Sequence, residues 1–270
     1  MHSKLTERWA VLAATLGVIA TTGLCACNAG VAKGTVVDMR QETLPGVAVI
    51  FEGTNRQDLT NARGEYALRL GGQSGRLRFA KTGYAPAVAD VGASAGKTVK
   101  LPPVTLWRLP SEPGVFLLEQ YRYERLDPVS PEKFDTQNLG IVYGTRLWFG
   151  TETTDSEPML VCHKLQPYGV RVSRLHLAEL LLRMQVEGTD TVEAWIPTQS
   201  IPAALVPIDR PEGQLQRVRC AEPLKPGTYA VHWGILDGAI DAREKRFFVF
   251  HVVDARTPKP ASAEQETPTE

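Results

Sequence analysis

The sequence is short of the groups that chemistry usually requires. Among 270 residues there are five His and four Cys, and 30 Lys+Arg are balanced by 30 Asp+Glu. Without a basic surplus there is no electrostatic footprint for a phosphate backbone, so nucleic acid is not an expected partner. No P-loop, H-E-x-x-H, G-x-G-x-x-G or C-x-x-C occurs, which removes the usual signatures of phosphate cradles, zinc hydrolases, dinucleotide folds and dithiol redox chemistry. The apolar stretch Ala10 to Leu24 runs for 15 residues, short of the ~20 needed to cross a bilayer as a helix. At 43% hydrophobic and 22% charged, the composition is nevertheless that of a chain that folds around a core.

What is present begins at the N-terminus. Lys4 and Arg8 precede the apolar run, and Leu24-Cys25-Ala26-Cys27 ends it. A cationic start, a short apolar segment and small residues after it describe a secretory signal. Leu24-Cys25-Ala26-Cys27 resembles the bacterial lipobox. That resemblance implies that residues 1–26 are a lipoprotein signal peptide and that Cys27 becomes the acylated first residue. Cys25 would leave with the signal. Choosing Cys25 as the modified residue would put Leu24 where processing prefers a small side chain. Asn28, in place of an Asp, implies outer-membrane sorting. The membrane is then a partner through the lipid, since buried acyl methylenes contribute about 0.8 kcal/mol each. The competing view, a Cys-x-Cys metal or redox pair, lacks nearby ligands, because His2 is the only other Cys or His before Cys162 and lies more than twenty positions away.

Processing leaves Cys162 and Cys220 as the remaining thiols. In an oxidising compartment a lone pair is expected to bridge. Closing the loop between them would stabilise by roughly 4 kcal/mol on the chain-entropy model. The alternative is two buried free thiols acting as small hydrophobes.

From about residue 32 the pattern is β. Tyr66, Leu68 and Leu70 alternate with charged or small residues, as do Leu77 and Phe79 with Arg76 and Arg78. Gly46-Val47-Ala48-Val49-Ile50-Phe51 is apolar on both faces, as for a covered strand. Turn signals at Leu44-Pro45-Gly46, Asn61 to Gly64, Gly71-Gly72 and Thr82-Gly83 separate these runs. Six or seven short strands in so few residues predict a β-sandwich. Gly46 and Gly64 fall at strand entries that call for positive φ. Tyr66 and Tyr84 read as packing residues, and Asn61 and Arg63, on a turn, as exposed binding candidates.

The same stretch carries a family resemblance. Gly34-x-Val36-x-Asp38, Leu44-Pro45-Gly46-Val47-x-Val49, Thr60 with Gly64-x-Tyr66-x-Leu68, and Lys81-x-Gly83-Tyr84 are similar to the carboxypeptidase regulatory-like (transthyretin-like) domain. The resemblance covers residues 32–108 and implies a seven-stranded, prealbumin-like β-sandwich. It implies a spacer, stabilising or binding module and no peptidase activity.

Residues 109–254 read as a second, mainly β domain entered through Leu109 to Gly114. Tyr229, Val231 and Trp233 alternate along one strand, and Phe247 to Val252 is apolar on both faces. One helix is predicted over 173–185, with Ser173 as cap and Leu177, Leu180, Leu181 and Met184 at three- and four-residue spacing. A strand running on toward Gly188 fits the same residues. Residues 255–270 hold Pro258, Pro260 and Pro268 and no large apolar residue, a disordered tail.

Little catalytic potential emerges. His176 and Glu179 would share a face of a helix, but as a zinc pair they lack a third ligand. Asp237 and Asp241 sit on a loop where a solvated turn is the ordinary role. Trp107, Trp148 and Trp195 could form a sugar platform, while Trp233 belongs to a strand core. The fold expected is therefore all-β, a sandwich followed by a mainly β domain with one helix. No catalytic, cofactor-binding or metal residue is assigned. The role expected is structural or binding, in a protein assembly of the cell envelope, with carbohydrate binding as the alternative.

Overall fold

The computed structural model describes residues 30–93, 96–146, 150–165, 169–186, 189–208, 215–233 and 246–254. Within them there are strands and no helix. The first eight strands are β1 (Val31–Asp38), β2 (Ala48–Phe51), β3 (Gln57–Leu59), β4 (Glu65–Arg69), β5 (Gly75–Ala80), β6 (Ala87–Val91), β7 (Thr98–Lys100) and β8 (Val104–Leu106). They form two four-stranded sheets. One runs β4-β1-β7, with β8 also on β1, and the other runs β3-β2-β5-β6. Period-2 patterning decides which side chains meet between them. Tyr66 and Leu68 of β4 and Leu77 and Phe79 of β5 face inward and are buried, joined by Val49 and Phe51 of β2. Ala48 and Ile50, on the other face of β2, are only half-buried, so that strand is less covered than its composition suggests. The family pattern has seven strands and this sandwich eight. The extra one arises where Pro102-Pro103 interrupts a single edge. Proline has no N–H to donate, so the edge pairs with β1 first as β7 at Val31 to Lys33 and again as β8 at Val36 to Asp38.

Thirteen further strands complete the described residues. β9 (Gly114–Glu119), β10 (Arg122–Arg125), β15 (Leu160–His163), β18 (Ala203–Pro207) and β19 (Leu215–Cys220) make one sheet, ordered β10-β9-β15-β19-β18. The other sheet contains β11 (Pro128–Val129), β12 (Glu132–Thr136), β13 (Gly140–Gly144), β14 (Thr151–Thr153), β16 (Val170–Val186), β17 (Thr189–Ile201), β20 (Gly227–Trp233) and β21 (Phe247–Val252). Its order is β11-β21-β20-β16-β12-β13, with β17 on β16 and β14 on β21. Val115, Leu160, Val172, Tyr229, Val231, Trp233, Phe248 and Phe250 fill the space between the two sheets.

The helix expected over 173–185 is instead the middle of β16. The three- and four-residue spacing has a cause. The register shift at Arg174/Leu175 puts the extra residue, Thr198, in β17, so β16 keeps its period of two and its even positions share one face. Before the shift, Val170 and Val172 enter the main core; after it, Ala178, Leu180 and Leu182 pack against Phe134, Ala194 and Ile196. The helix-like spacing mixes leucines from the two faces of one strand: Leu180 is buried with the even positions, while Leu177 on the other face is 49% exposed.

The β12–β13 hairpin folds over the β16–β17 hairpin. Thr136 of β12 pairs with Leu182 of β16, and Thr145, just past β13, exchanges two backbone hydrogen bonds with Trp195 of β17. Gly144 makes this approach possible. A Cβ there would stand 2.6 Å from the Trp195 carbonyl oxygen and 2.9 Å from Ile196 Cγ2.

A separate apolar seam links the sandwich to the second segment. Ala85 and Trp107 of the sandwich pack with Val161, Leu215, Leu118 and Met159 of the second segment. The backbone fixes the near side, with Ala85 N–H donating to Trp107 O at 2.7 Å and Leu109 N–H to Gly83 O at 2.9 Å.

Candidate functional site

In the sandwich, the motif residues are occupied in holding turns. Asp38 Oδ1 accepts from the N–H groups of Arg40 at 2.8 Å and Glu42 at 3.0 Å. Buried Thr60 donates its hydroxyl to Leu44 O at 2.6 Å and accepts from Val47 N–H at 2.8 Å. Lys81 Nζ donates to Pro45 O at 2.5 Å. Gly46 and Gly64 adopt φ of 67° and 71°, as their turns require. Tyr66 is buried edge-to-face on Phe79 at 5.4 Å, its hydroxyl pushed up to about 12 by burial. The exposed candidate Asn61 also proves local. Its Oδ1 accepts from Arg63 N–H and Glu65 N–H, and its Nδ2 donates to Glu65, which is an Asx turn.

One sequence expectation for the second segment, the disulfide, is not met. Cys162 and Cys220 are free thiols, not a disulfide. Cys162 of β15 stands opposite Gln216 of β19, and Cys220 lies four residues further along β19, about 13 Å away at ~3.3 Å per residue against the ~7 Å limit for a bridge. Burial pushes the Cys162 thiol up to about 12 and raises that of Cys220, so neither is a reactive thiolate. His176 and Glu179 are both accessible to solvent on β16. Three apart on a strand, they point to opposite faces about 10 Å apart, so no zinc pair forms. Trp107 and Trp195 are half-buried in apolar clusters and Trp233 is core. Cys27, Trp148, Asp237, Asp241 and the tail lie outside the described residues. Gly92 to Gly96 spells G-x-S-x-G, and its Ser94 lies outside the described residues.

The side chains that do converge belong to no sequence motif. Arg171 and Ser173 of β16 face His232 of β20 across the ladder, since Arg171 is opposite His232 and Ser173 opposite Ala230. Ser173 Oγ and His232 Nε2 lie 2.9 Å apart, and the two residues are 3% and 2% exposed. His232 Nδ1 is buried without a hydrogen-bond partner. Burial, and secondarily the Arg171 charge, hold the imidazole down to about 4, so it is neutral at physiological pH. Its ring also packs against Phe247 at 5.6 Å. These groups line a cavity of about 330 Å³ under the β12–β13 hairpin, with Tyr143, Gln199 and Pro197 on its walls. A Ser–His contact is the start of a nucleophilic site, but Nδ1 has no orienting group, so the third member of a triad is missing among the described residues. The one clue in the sequence is His232 at an inward position of a strand that is apolar on both sides.

Comparison with known proteins addresses the first segment. The model for the CarboxypepD_reg-like domain matches residues 32–104. Those residues form a CarboxypepD_reg-like domain. Its turn geometry explains the spacing of Asp38, Thr60, Gly64 and Lys81. A search of curated proteins returned no match. Solved structures align over more of the chain at low similarity. A streptococcal ancillary pilin shares 14% identity at TM-score 0.23, over 85% of this chain and 62% of the pilin. A proposed carbohydrate binding protein from Bacteroides uniformis gives 11% and 0.24, over 83% and 99%. The major pilin subunit of Bacillus cereus gives 13% and 0.24, over 83% and 69%. The chain thus spans less than two thirds of the streptococcal pilin's length. Similarity at that level carries no inference about role, and the CarboxypepD_reg-like domain remains the firm assignment.

Proposed function

We propose that the chain is a lipid-anchored protein of the bacterial cell envelope, held in the outer membrane through Cys27, with a structural or binding role in a protein assembly and no catalysis. The observation that carries this reading is the distance from anchor to fold. The lipobox Cys27 stands four positions before Val31, where β1 begins, so acylation would tether the CarboxypepD_reg-like domain directly at the bilayer surface. The second β segment is joined to that domain through the Ala85–Trp107–Leu215 seam. The domain's motif residues are engaged in its own turns, which suits a spacer.

Metabolic labelling with a fatty acid tests the anchor. Cys27→Ser should abolish both labelling and signal processing, while Cys25→Ser leaves both intact; a labelled, processed Cys27→Ser protein refutes the anchor. Affinity capture from solubilised envelopes tests the assembly, and recovery of no stoichiometric partner counts against it. One observation favours a second reading, carbohydrate binding. Trp195, His176 and Gln199 line an open groove of about 640 Å³ beside β16 and β17. A glycan array showing no saccharide bound disposes of it.

A further inference from the structure

The cavity beneath the β12–β13 hairpin has a consistent chemistry. Its wall is apolar along Ile141, Val142, Ile196 and Pro197, and among the described residues no acidic side chain lines it. Arg171, half-buried at its side, has no ion-pair partner among the described residues. At the floor, His232 keeps one ring nitrogen unpartnered while the other is engaged by Ser173. A buried polar atom left without a hydrogen bond carries an uncompensated desolvation cost. A lone guanidinium matches one carboxylate in a bidentate pair. The volume, about 330 Å³, falls at the small end of ligand pockets.

We propose that this pocket binds a carboxylate carried on a small apolar group, with the carboxylate on Arg171 and the apolar part against Ile141, Ile196 and Pro197. Such a group belongs either to a free small acid or to the C-terminal residue of a peptide. The site is independent of the anchor: the pocket lies on β16, β17 and β20, and loss of acylation at Cys27 leaves it unchanged.

The test uses the full chain in detergent with ¹⁵N-labelled histidine, read at the His232 ring by NMR. The probes are 4-methylpentanoate, its primary amide, and a leucine-terminated tetrapeptide with a free or an amidated C-terminus. The acid, or the free-terminus peptide, should shift the His232 resonances saturably, and the corresponding amides should not. Arg171→Ala should weaken binding at least about tenfold, as expected for deleting a charge-assisted hydrogen bond, with Arg171→Lys recovering part of it. Tighter binding of the peptide than of the free acid assigns a protein terminus as the source, and the reverse assigns a free acid. No saturable shift with either probe overturns the proposal, as does binding of an amide equal to its acid. Arg171→Ala that folds and binds like wild type overturns it too. If that variant does not fold, the acid–amide comparison on the unmodified chain decides alone.

Discussion

The CarboxypepD_reg-like domain and the segment after it are both β throughout the described residues, yet they use polar groups differently. In the first, Asp38 and Asn61 bond to backbone two to four residues away, while Thr60 and Lys81 reach back to the carbonyls of Leu44 and Pro45. Their recurrence as a motif therefore encodes a fold. Each segment leaves buried polar atoms without a hydrogen bond, Tyr66 Oη in the first and His163 Nε2 and His232 Nδ1 in the second, but of these three residues His232 is the one that lines a described cavity. A domain whose motif is taken up by turns has little left to recognise a ligand. One with unsatisfied groups beside a cavity retains that capacity, at a cost in stability.

The contrast is tested most severely at the turns. Gly64→Ala must hold an alanine at φ 71° with its Cβ 2.6 Å from the Val36 carbonyl oxygen. The left-handed backbone costs ~1–2 kcal/mol and the crowding against rigid backbone adds ~1–3, so a loss of about 3 kcal/mol is expected in urea unfolding. Gly72→Ala, at φ 78° with nothing within 4 Å, carries the backbone part alone, about 1 kcal/mol. Equal losses at the two positions would show that the Gly64 turn is not as tightly packed as the geometry requires.

A smaller effect separates the two segments by pH. His232 is held down to about 4 by burial and then by Arg171, against ~6.5 in the unfolded chain. Its folded form takes up a proton less readily than its unfolded form. The associated stability is therefore complete above pH 6.5 and is lost as pH falls toward 4. Between pH 7 and 5 the unfolding free energy should drop by about 2 kcal/mol, and His232→Phe should remove most of that slope. The CarboxypepD_reg-like domain contains no histidine. Hydrogen exchange in β1–β8 should then be indifferent to pH over this window once corrected for intrinsic rates, and matching acid sensitivity there would contradict the contrast.

Legibility from the sequence divides along the same line. Period-2 alternation places Tyr66, Leu68, Leu77 and Phe79 in the core because each strand of the sandwich faces one interior. The turn glycines Gly46 and Gly64 are legible because their conformation is local. β16 reads as a helix because its leucines fall on both faces of the strand, and the cores that distinguish those faces do not exist until distant strands assemble. The cysteine bridge fails for a related reason. Sequence spacing supplies the loop entropy of closure but not the register of β15 on β19, and register alone puts the two thiols four residues apart. The Arg171–Ser173–His232 group is invisible in the sequence because it forms across a ladder between residues about sixty positions apart.

A modest gain is expected at the hairpin tip joining β9 and β10. Gln120 and Tyr121 have φ of 47° and 64°, the pair of positive values of a type I′ turn, normally filled by Asn-Gly. Tyr121 is 51% exposed, and aromatic residues rarely adopt this conformation. Tyr121→Gly relieves the strain, and at a turn that already demands positive φ it should raise the urea midpoint by an amount worth about 1 kcal/mol. A decrease would mean that the ring makes contacts outweighing its backbone strain.

The smallest effect concerns the two thiols. Cys220 is half-buried on β19, beside an open groove with Arg217 and Glu222, and Cys162 is buried in the main core. Since no bond joins them, Cys220→Ser should change stability by less than about 0.5 kcal/mol, where loss of a native disulfide costs ~2–5. Alkylation of the native protein without reductant should modify Cys220 slowly, because burial raises its thiol, and Cys162 more slowly still. After unfolding, again without reductant, intact mass should show both labelled. Two unlabelled cysteines would restore the bridge and require β19 to slide four residues along β15. In a sheet with one face in the main core, that shift would displace Leu215 from the seam and Val218 from the core. The register that keeps these side chains buried is the same one that keeps the sulfurs apart.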